Sequence, residues 1–516
     1  MALSSTTNRG FPGFADPDAS GGRKQRSRQP VTAPASAVRG GSRASDACRA
    51  SFRRLGACCF AAVSFTCLEC APALAGQYDY GAGFALTHDS DITRTSTDPR
   101  AEWTEALFAG IGYAERTADL TARLLAQVER RSFVRNTYRD DTGYFLNGAA
   151  VWTITPQQLS WTVEDIATES LLNLTAPDTP ANRTKTNYLS TGPEFAFRVN
   201  PANQPVIGAR YGRYDIQGPG DNQRYMGYAR WVHRLSEPEK LSLNYEVARV
   251  DFTPPALFPN FLRQDQFLRY ETRSPFNSLS LEGGTTHIQR YGGDQTNGRL
   301  ARVTALHALT SETAVQLNLS DQISDTATDL IRGVAQATST LTPATPFESA
   351  AAVPLAGSNV TTGDVYRSQR GELIYVARGS RIEYNLQGYT RRVDFATLEQ
   401  DYREVGGNVS LTWTQTDTVR VYAYADYLKR TFPSLARTVP DPILGPNFDE
   451  RDTYRTAALG VTYRPTRNLS VSAEGRRLER DSKLPPDVPS QNFVDRRVML
   501  LLGYSTGPLY VASSRR

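Results

Sequence analysis

Residues 120–129 read Leu-Thr-Ala-Arg-Leu-Leu-Ala-Gln-Val-Glu. Leu120, Ala122, Leu124, Ala126 and Val128 fall on one side of an extended chain, and Thr121, Arg123, Gln127 and Glu129 on the other. That is the period-two alternation of a half-buried β-strand. Leu241, Leu243, Tyr245 and Val247 alternate in the same way with Ser242, Asn244 and Glu246, and Val315, Leu317 and Leu319 with Gln316, Asn318 and Ser320. Ile382, Tyr384 and Leu386 oppose Glu383, Asn385 and Gln387; Val409, Leu411 and Trp413 oppose Asn408, Ser410 and Thr412; Leu469, Val471 and Ala473 oppose Ser470, Ser472 and Glu474. Such runs, about 8 to 11 residues long, match a tilted strand that crosses a bilayer. Roughly 20 of them lie between Tyr78 and Tyr504, the number a large closed barrel of this type takes.

The connections tend to alternate in length. Short ones include residues 156–158, 201–204, 237–239, 311–312, 416–418 and 465–468, and long polar ones include 89–102, 165–185, 252–265, 433–452 and 482–492. Short turn, long loop, short turn is the pattern of an up-and-down antiparallel transmembrane β-barrel of the outer-membrane type. Lipid cannot hydrogen-bond a backbone, so a sheet inside it must close and leave no edge. An even strand number puts both chain ends on the short-turn side. Trp103, Tyr113, Tyr144, Trp231, Trp413 and Tyr454 sit near strand ends, where interfacial girdles form. A soluble secreted all-β binding protein, a sandwich or propeller, is the competing fold, but it needs neither uniform strand length nor one-sided long loops.

Residues 321–365 break the strand pattern. Ser324 is placed to cap a short helix through Asp329, Leu330, Ile331 and Val334, followed by a Thr-, Ala- and Pro-rich stretch. The insertion is either a mobile extracellular loop or a constriction folded into the lumen. Its few bulky residues favour the loop.

The N-terminal region is of another kind. Residues 1–50 are rich in Gly, Ser, Ala, Pro and Arg without apolar periodicity, and read as disordered or as a start assigned too early. Residues 51–75 carry Arg53 and Arg54, an apolar run from Leu55 to Leu68 and then Ala73-Leu74-Ala75, the order of a secretory signal cleaved near Ala75. The barrel is expected over residues 76–516. Residues 1–75 hold 10 Lys+Arg against 4 Asp+Glu of the chain's 58 and 53, leaving 48 against 49 downstream. A near-neutral body offers no broad basic field, so nucleic acid is not an expected partner. All five cysteines lie at or before Cys70, which excludes downstream disulfides, Cys-based zinc sites and cysteine nucleophiles.

Catalytic signatures are missing. His88, His233, His287 and His307 stand singly, with no HxH or HExxH spacing and no G-x-S-x-G elbow, so no catalytic residue, metal or cofactor is assigned and the chain is not expected to be an enzyme. If an outer-membrane lipid-modifying enzyme were hidden here, His287 is its best histidine. His88-Asp89-Ser90-Asp91 and residues 441–452 lack the spacing of a calcium loop and read as solvated carboxylates. Function then falls to the polar face of the strands, which lines the interior of a closed barrel. Its members are Arg123, Glu129, Glu246, Glu282, Arg302, Glu383, Tyr389, Arg391, Arg420, Tyr422, Tyr424, Asp426, Glu474 and Arg476. Their mixed signs favour no ion, and Tyr389, Tyr422 and Tyr424 offer flat rings on which sugars stack. The equal alternative is that the charges pair as structural ladders.

Four short stretches stand out: His88-Asp89-Ser90-Asp91-Ile92, Leu189-Ser190-Thr191-Gly192-Pro193, Ala209-Arg210-Tyr211 and Asp221-Asn222-Gln223-Arg224-Tyr225. In these the chain resembles the outer-membrane β-barrel porin family found with exopolysaccharide and PEP-CTERM sorting systems of Gram-negative bacteria. The likeness implies an outer-membrane component, a channel or scaffold, whose setting is polysaccharide production or export, with no catalytic residues to carry over. The implied partners are outer-membrane lipid and lipopolysaccharide, the barrel-assembly machinery, and polysaccharide or its export components. One departure concerns the C-terminus. Such barrels end on an aromatic residue, whereas this chain ends Ser513-Ser514-Arg515-Arg516, and residues 505–512 match the terminal signal only in part.

Overall fold

The computed structural model describes residues 76–218, 220–255, 258–330, 363–397, 401–433, 450–483 and 491–507. The expected extension 1–50, the signal peptide 51–75, most of the insertion and the C-terminal Ser513-Ser514-Arg515-Arg516 lie outside them. Twenty strands follow in chain order: β1 (Gln77–Asp89), β2 (Glu102–Arg116), β3 (Leu120–Phe133), β4 (Asp141–Thr155), β5 (Leu159–Leu171), β6 (Arg183–Ala196), β7 (Asn203–Ile216), β8 (Asp221–Arg234), β9 (Glu239–Thr253) and β10 (Phe261–Arg273). The second half comprises β11 (Asn277–Arg290), β12 (Gln295–Ala308), β13 (Thr313–Asp325), β14 (Val365–Arg378), β15 (Ile382–Phe395), β16 (Tyr402–Thr414), β17 (Val419–Phe432), β18 (Glu450–Tyr463), β19 (Leu469–Lys483) and β20 (Phe493–Ser505).

Every strand pairs antiparallel with its sequence neighbours, and β1 closes on β20 from Gly81 opposite Ser505 to Asp89 opposite Arg497. The fold is therefore the closed up-and-down barrel that the alternation predicts. Nine connections on one end span three to six residues, and the ten on the other end include all the long ones, with both chain ends on the short-turn side.

Two details differ from the sequence reading. The strands run 13 to 15 residues, longer than the alternating runs. Near the long-loop end both faces turn polar, as in Arg476-Arg477-Leu478-Glu479-Arg480-Asp481, so the period is lost while the ladder continues. The last strand stops at Ser505, before most of the stretch that partly matches the terminal signal.

The polarity of the barrel is inverted with respect to a soluble core. Leu107, Leu243 and Leu459 point outward and are 62%, 60% and 63% exposed, whereas Asn244, Glu404 and Glu474 point inward and are buried. Trp103 and Tyr144 lie outward at the long-loop end, and Trp231 and Trp413 outward at the short-turn end. Tyr454, expected in that girdle, faces the lumen instead, between two arginines.

The wall peels inward at two places. The β4–β5 ladder stops at Leu146 opposite Ala167, although β5 continues to pair with β6 up to Leu171. The β12–β13 ladder stops at Ala301 opposite Asp321, although β13 continues along β14 to Asp325. Side chains span both gaps: Arg131 of β3 reaches Glu169 of β5 at 2.6 Å, Lys185 of β6 reaches Asp141 of β4 at 3.0 Å, and Arg302 donates to Gln322 at 2.9 Å. Each departing strand leads into residues that pack inside the barrel, 172–182 after β5 and 326–330 after β13.

Candidate functional site

The site is the mouth of the lumen at the long-loop end. Residues 172–182, between β5 and β6, cross it. The buried Asn182 amide ties this loop to itself, donating to the carbonyls of Asn173 at 2.8 Å, Pro177 at 3.0 Å and Ala176 at 3.3 Å, while its oxygen accepts the Asn173 N–H at 2.9 Å. Pro180 begins the short 3₁₀ turn that positions it. Thus stapled, the loop pushes Leu174 into an apolar nest made by Tyr366, Val393, Tyr402 and Phe432 of β14 to β17.

Polar contacts hold the tip. Arg430 donates to the Leu174 carbonyl at 3.0 Å and Arg480 to the Thr175 carbonyl at 2.6 Å, while Arg94, from the β1–β2 connection, donates to the Asp178 carbonyl. Burial works against the Asp178 carboxylate, but the guanidinium of Arg183 at 2.7 Å, with Arg94 behind it, outweighs burial and holds its pKa at about 2. On Arg94 burial prevails and lowers the pKa despite the Asp178 charge.

Of these anchors Arg430 belongs to a cross-strand row, and Arg480 joins it through Asp452. Arg391, Glu404, Arg430 and Asp452 stand opposite one another on β15, β16, β17 and β18, alternating in sign. Arg430 meets Glu404 at 2.6 Å, and Arg480 meets Asp452 at 2.9 Å with both side chains wholly buried. Rings separate the guanidinium groups: Arg391 and Arg430 lie over Tyr402, at 5.9 and 5.8 Å, and Arg430 and Arg480 over Tyr454, at 5.9 and 5.3 Å. The row is a rigid wall, desolvated yet paired.

The insertion supplies the second constriction. Residues 326–330 are helical, and Ala327 and Leu330 pack against Ile166, Tyr188, Tyr214 and Ile216 of β5 to β7. The cap is Asp325, which accepts the Thr328 N–H and hydroxyl, rather than Ser324, whose hydroxyl turns to Asp329. Asp325 also pairs with Arg224 of β8, and Asp329 accepts the Tyr366 hydroxyl at 2.8 Å and Arg391 at 2.9 Å. Residues 325–330, the start of the insertion, are thus tied to β8 by Asp325 and to β14 and β15 by Asp329, while residues 331–362, where the loop reading falls, lie outside the described residues. Ile331 and Val334 lie outside the described residues.

The fourteen residues singled out from the sequence lie on the same strand faces as these groups, distributed down the barrel. Glu282 pairs with Arg302 at 2.5 Å and Arg269 at 2.8 Å, Glu383 with Arg378 at 3.0 Å, and Arg391 joins the mouth. Tyr422 donates to Glu474 at 2.7 Å, and Glu474 also meets Arg476 at 2.9 Å. Tyr422 lies over Gly460 and Tyr389 over Gly406, where any side chain would overlap the ring. Tyr424 and Asp426 are their neighbours on β17. Among the described residues Arg123, Glu129, Glu246 and Arg420 form no ion pair.

Elsewhere, Asp89 and Asp91 are buried rather than solvated: Asp89 pairs with Arg497, and Asp91 accepts three groups of its own turn. His287 points outward to Asn297.

No family model and no curated protein matches the chain. Among solved structures, it is similar to the ferric enterobactin receptor PfeA of Pseudomonas aeruginosa, with 10% identity, 83% of this chain and 80% of that one covered, and a TM-score of 0.41. OccK2 of Pseudomonas aeruginosa is similar at 10% identity, 84% and 98% coverage and a TM-score of 0.35, and the ferric citrate transporter FecA at 11%, 83% and 78%, and 0.39.

Proposed function

We propose that this chain spans an outer membrane and conducts hydrophilic solutes through a lumen narrowed at its long-loop mouth by residues 172–182 and by the start of the insertion. The inverted polarity carries the reading. A closed sheet with leucines outward and asparagine, glutamate and arginine inward is stable where its outside meets hydrocarbon and its inside water. The long-loop mouth then faces the cell exterior and the short turns the periplasm.

For traffic we favour sugar-like solutes, polysaccharide segments or small saccharides. Tyr389 and Tyr422 lie on the wall over glycines, an arrangement that leaves the bore clear for rings to pass, and paired carboxylates and guanidinium groups beside them give hydroxyls both acceptors and donors. The family resemblance adds exopolysaccharide as the setting. Planar-bilayer recording of the purified chain tests the channel. Conductance that rises when residues 173–181 are replaced by a short Gly-Ser linker supports it. A purified barrel that inserts yet passes neither ions nor sugars refutes it.

A further inference from the structure

Outward arginines near the long-loop end of most of the barrel have a carboxylate beside them. Arg130 meets Asp140 at 3.2 Å, Arg213 Asp215 at 2.8 Å, Arg249 Asp251 at 3.0 Å and Arg367 Asp321 at 2.6 Å. In the last strands Arg392 keeps the rule with Asp394 at 2.8 Å, but Arg403, Lys429 and Arg496 are exposed on the outer face and, among the described residues, pair with no carboxylate. Arg455 and Arg477 share Glu479 alone. The register sharpens the excess: Arg477 stands directly opposite Arg496, and Arg403 directly opposite Arg392, whose own charge is met by Asp394 at 2.8 Å. Like charges facing each other across a ladder destabilise it unless an anion lies between them.

Directly below this sector the outer wall carries a trench. Leu373, Gly388, Gly407 and Tyr427 form one cross-strand row on β14 to β17, and two successive glycines leave its middle without side chains. The groove, of about 540 Å³, is bounded along its length by Leu386 and Val409. Arg403 is four residues up β16 from Gly407, and Lys429 two residues up β17 from Tyr427, about 13 and 7 Å at strand rise.

We propose that this outer face of β14 to β17 is a binding site for a phosphorylated acyl lipid of the leaflet around the long-loop mouth. Arg403 and Lys429 hold its phosphate, and an acyl chain lies in the trench over Gly388 and Gly407. The assignment rests on the membrane orientation proposed above. A cationic pair directly over an apolar slot fits an amphiphile with an anionic head, and among the described residues neither Arg403 nor Lys429 has the carboxylate partner that Arg392 finds in Asp394.

The test uses the full chain purified in a neutral detergent, with lipid retention read by native mass spectrometry. Diphosphoryl lipid A, phosphatidylcholine and inorganic phosphate are the probes. The parent should retain lipid A in preference to phosphatidylcholine. R403Q/K429Q should lower that retention roughly 25-fold, on the basis of about fivefold per charge at an anionic surface, while R249Q changes it less than twofold. G388L, whose new side chain meets open space, should block the acyl chain and lower retention with the charges intact. Equal retention by parent and R403Q/K429Q overturns the site, and so does inorganic phosphate that competes at millimolar concentration. G388L without effect overturns the trench. Bilayer insertion and heat-modifiable migration of the same samples report the membrane reading separately. A parent that inserts but prefers no phosphorylated lipid refutes only this proposal, and one that never inserts removes both.

Discussion

The Arg430 guanidinium lies between the rings of Tyr402 and Tyr454, 5.8 Å from one centroid and 5.9 Å from the other, while it reaches Glu404 at 2.6 Å and the Leu174 carbonyl at 3.0 Å. One side chain therefore holds both the wall and the loop that narrows the bore. Arg430→Met should cost about 3–5 kcal/mol, because Glu404 is left buried without its partner. Denaturant unfolding in micelles measures this. The same variant should raise single-channel conductance, since the tip of the 172–182 loop loses an anchor.

Asn182→Ala separates the loop from the wall. No strand contact changes, but three carbonyls and one N–H of the loop lose their partner. The loss should be about 1–3 kcal/mol, and much of it local. Protease susceptibility between Asn173 and Asn182 should rise while the heat-modifiable gel shift of the barrel stays unchanged. A barrel that fails to fold would show that the loop is needed for assembly.

Acid should open the mouth late. The Asp178 carboxylate titrates lower in the folded chain than in the unfolded one, near 2 instead of about 3.9. Its contribution is therefore complete above about pH 4 and is lost as pH falls through 2. Conductance attributable to loop release should stay flat from pH 7 to 4 and rise only below about pH 3. Asp178→Asn should show the released level at every pH.

The two faces should respond oppositely. Leu243→Arg puts a cation on the exposed apolar face at about 2–4 kcal/mol near the bilayer midplane, and should lower folding yield in lipid vesicles. Glu246→Gln, three residues along on the inner face, should fold normally. No cysteine follows Cys70, so in a chain prepared to begin at Gly76 single cysteines at these positions label cleanly. A membrane-impermeant maleimide should modify Glu246→Cys in the inserted barrel and spare Leu243→Cys. The reverse would place the polar face outside.

The barrel was legible because alternation is local. Leu243 and Glu246 declare their faces from four residues of sequence, and turns such as Glu237-Pro238-Glu239 declare the reversals. The mouth was not, because its contacts join residues far apart: Leu174 meets Arg430, and Thr175 meets Arg480, with most of the barrel between them. Arg391 was picked out by its face alone, whereas Arg430 and Arg480 sit where polarity spreads to both faces and the period fails. A signal did exist in the alternating signs of Glu404, Arg430 and Asp452 near the long-loop ends of consecutive strands. Recognising it requires the register, which those polar ends do not specify. Tyr454 was misplaced for the same reason, since an aromatic near a strand end reads as a girdle unless its face is known.

The pairing of β1 with β20 bears on how the molecule is made. Gly81 meets Ser505 and Asp89 meets Arg497 across nearly the whole sequence, so the first strand has no partner on one side until the last has been synthesised. Loop-closure entropy at that separation makes this the slowest contact to find, and every intermediate carries two open edges able to join another chain. The closed state is therefore out of reach until translation is complete, and the open edges must stay unpaired until then. A chain ending after β19 would have nothing to seal β1, and its expected fate is aggregation or proteolysis rather than a smaller pore.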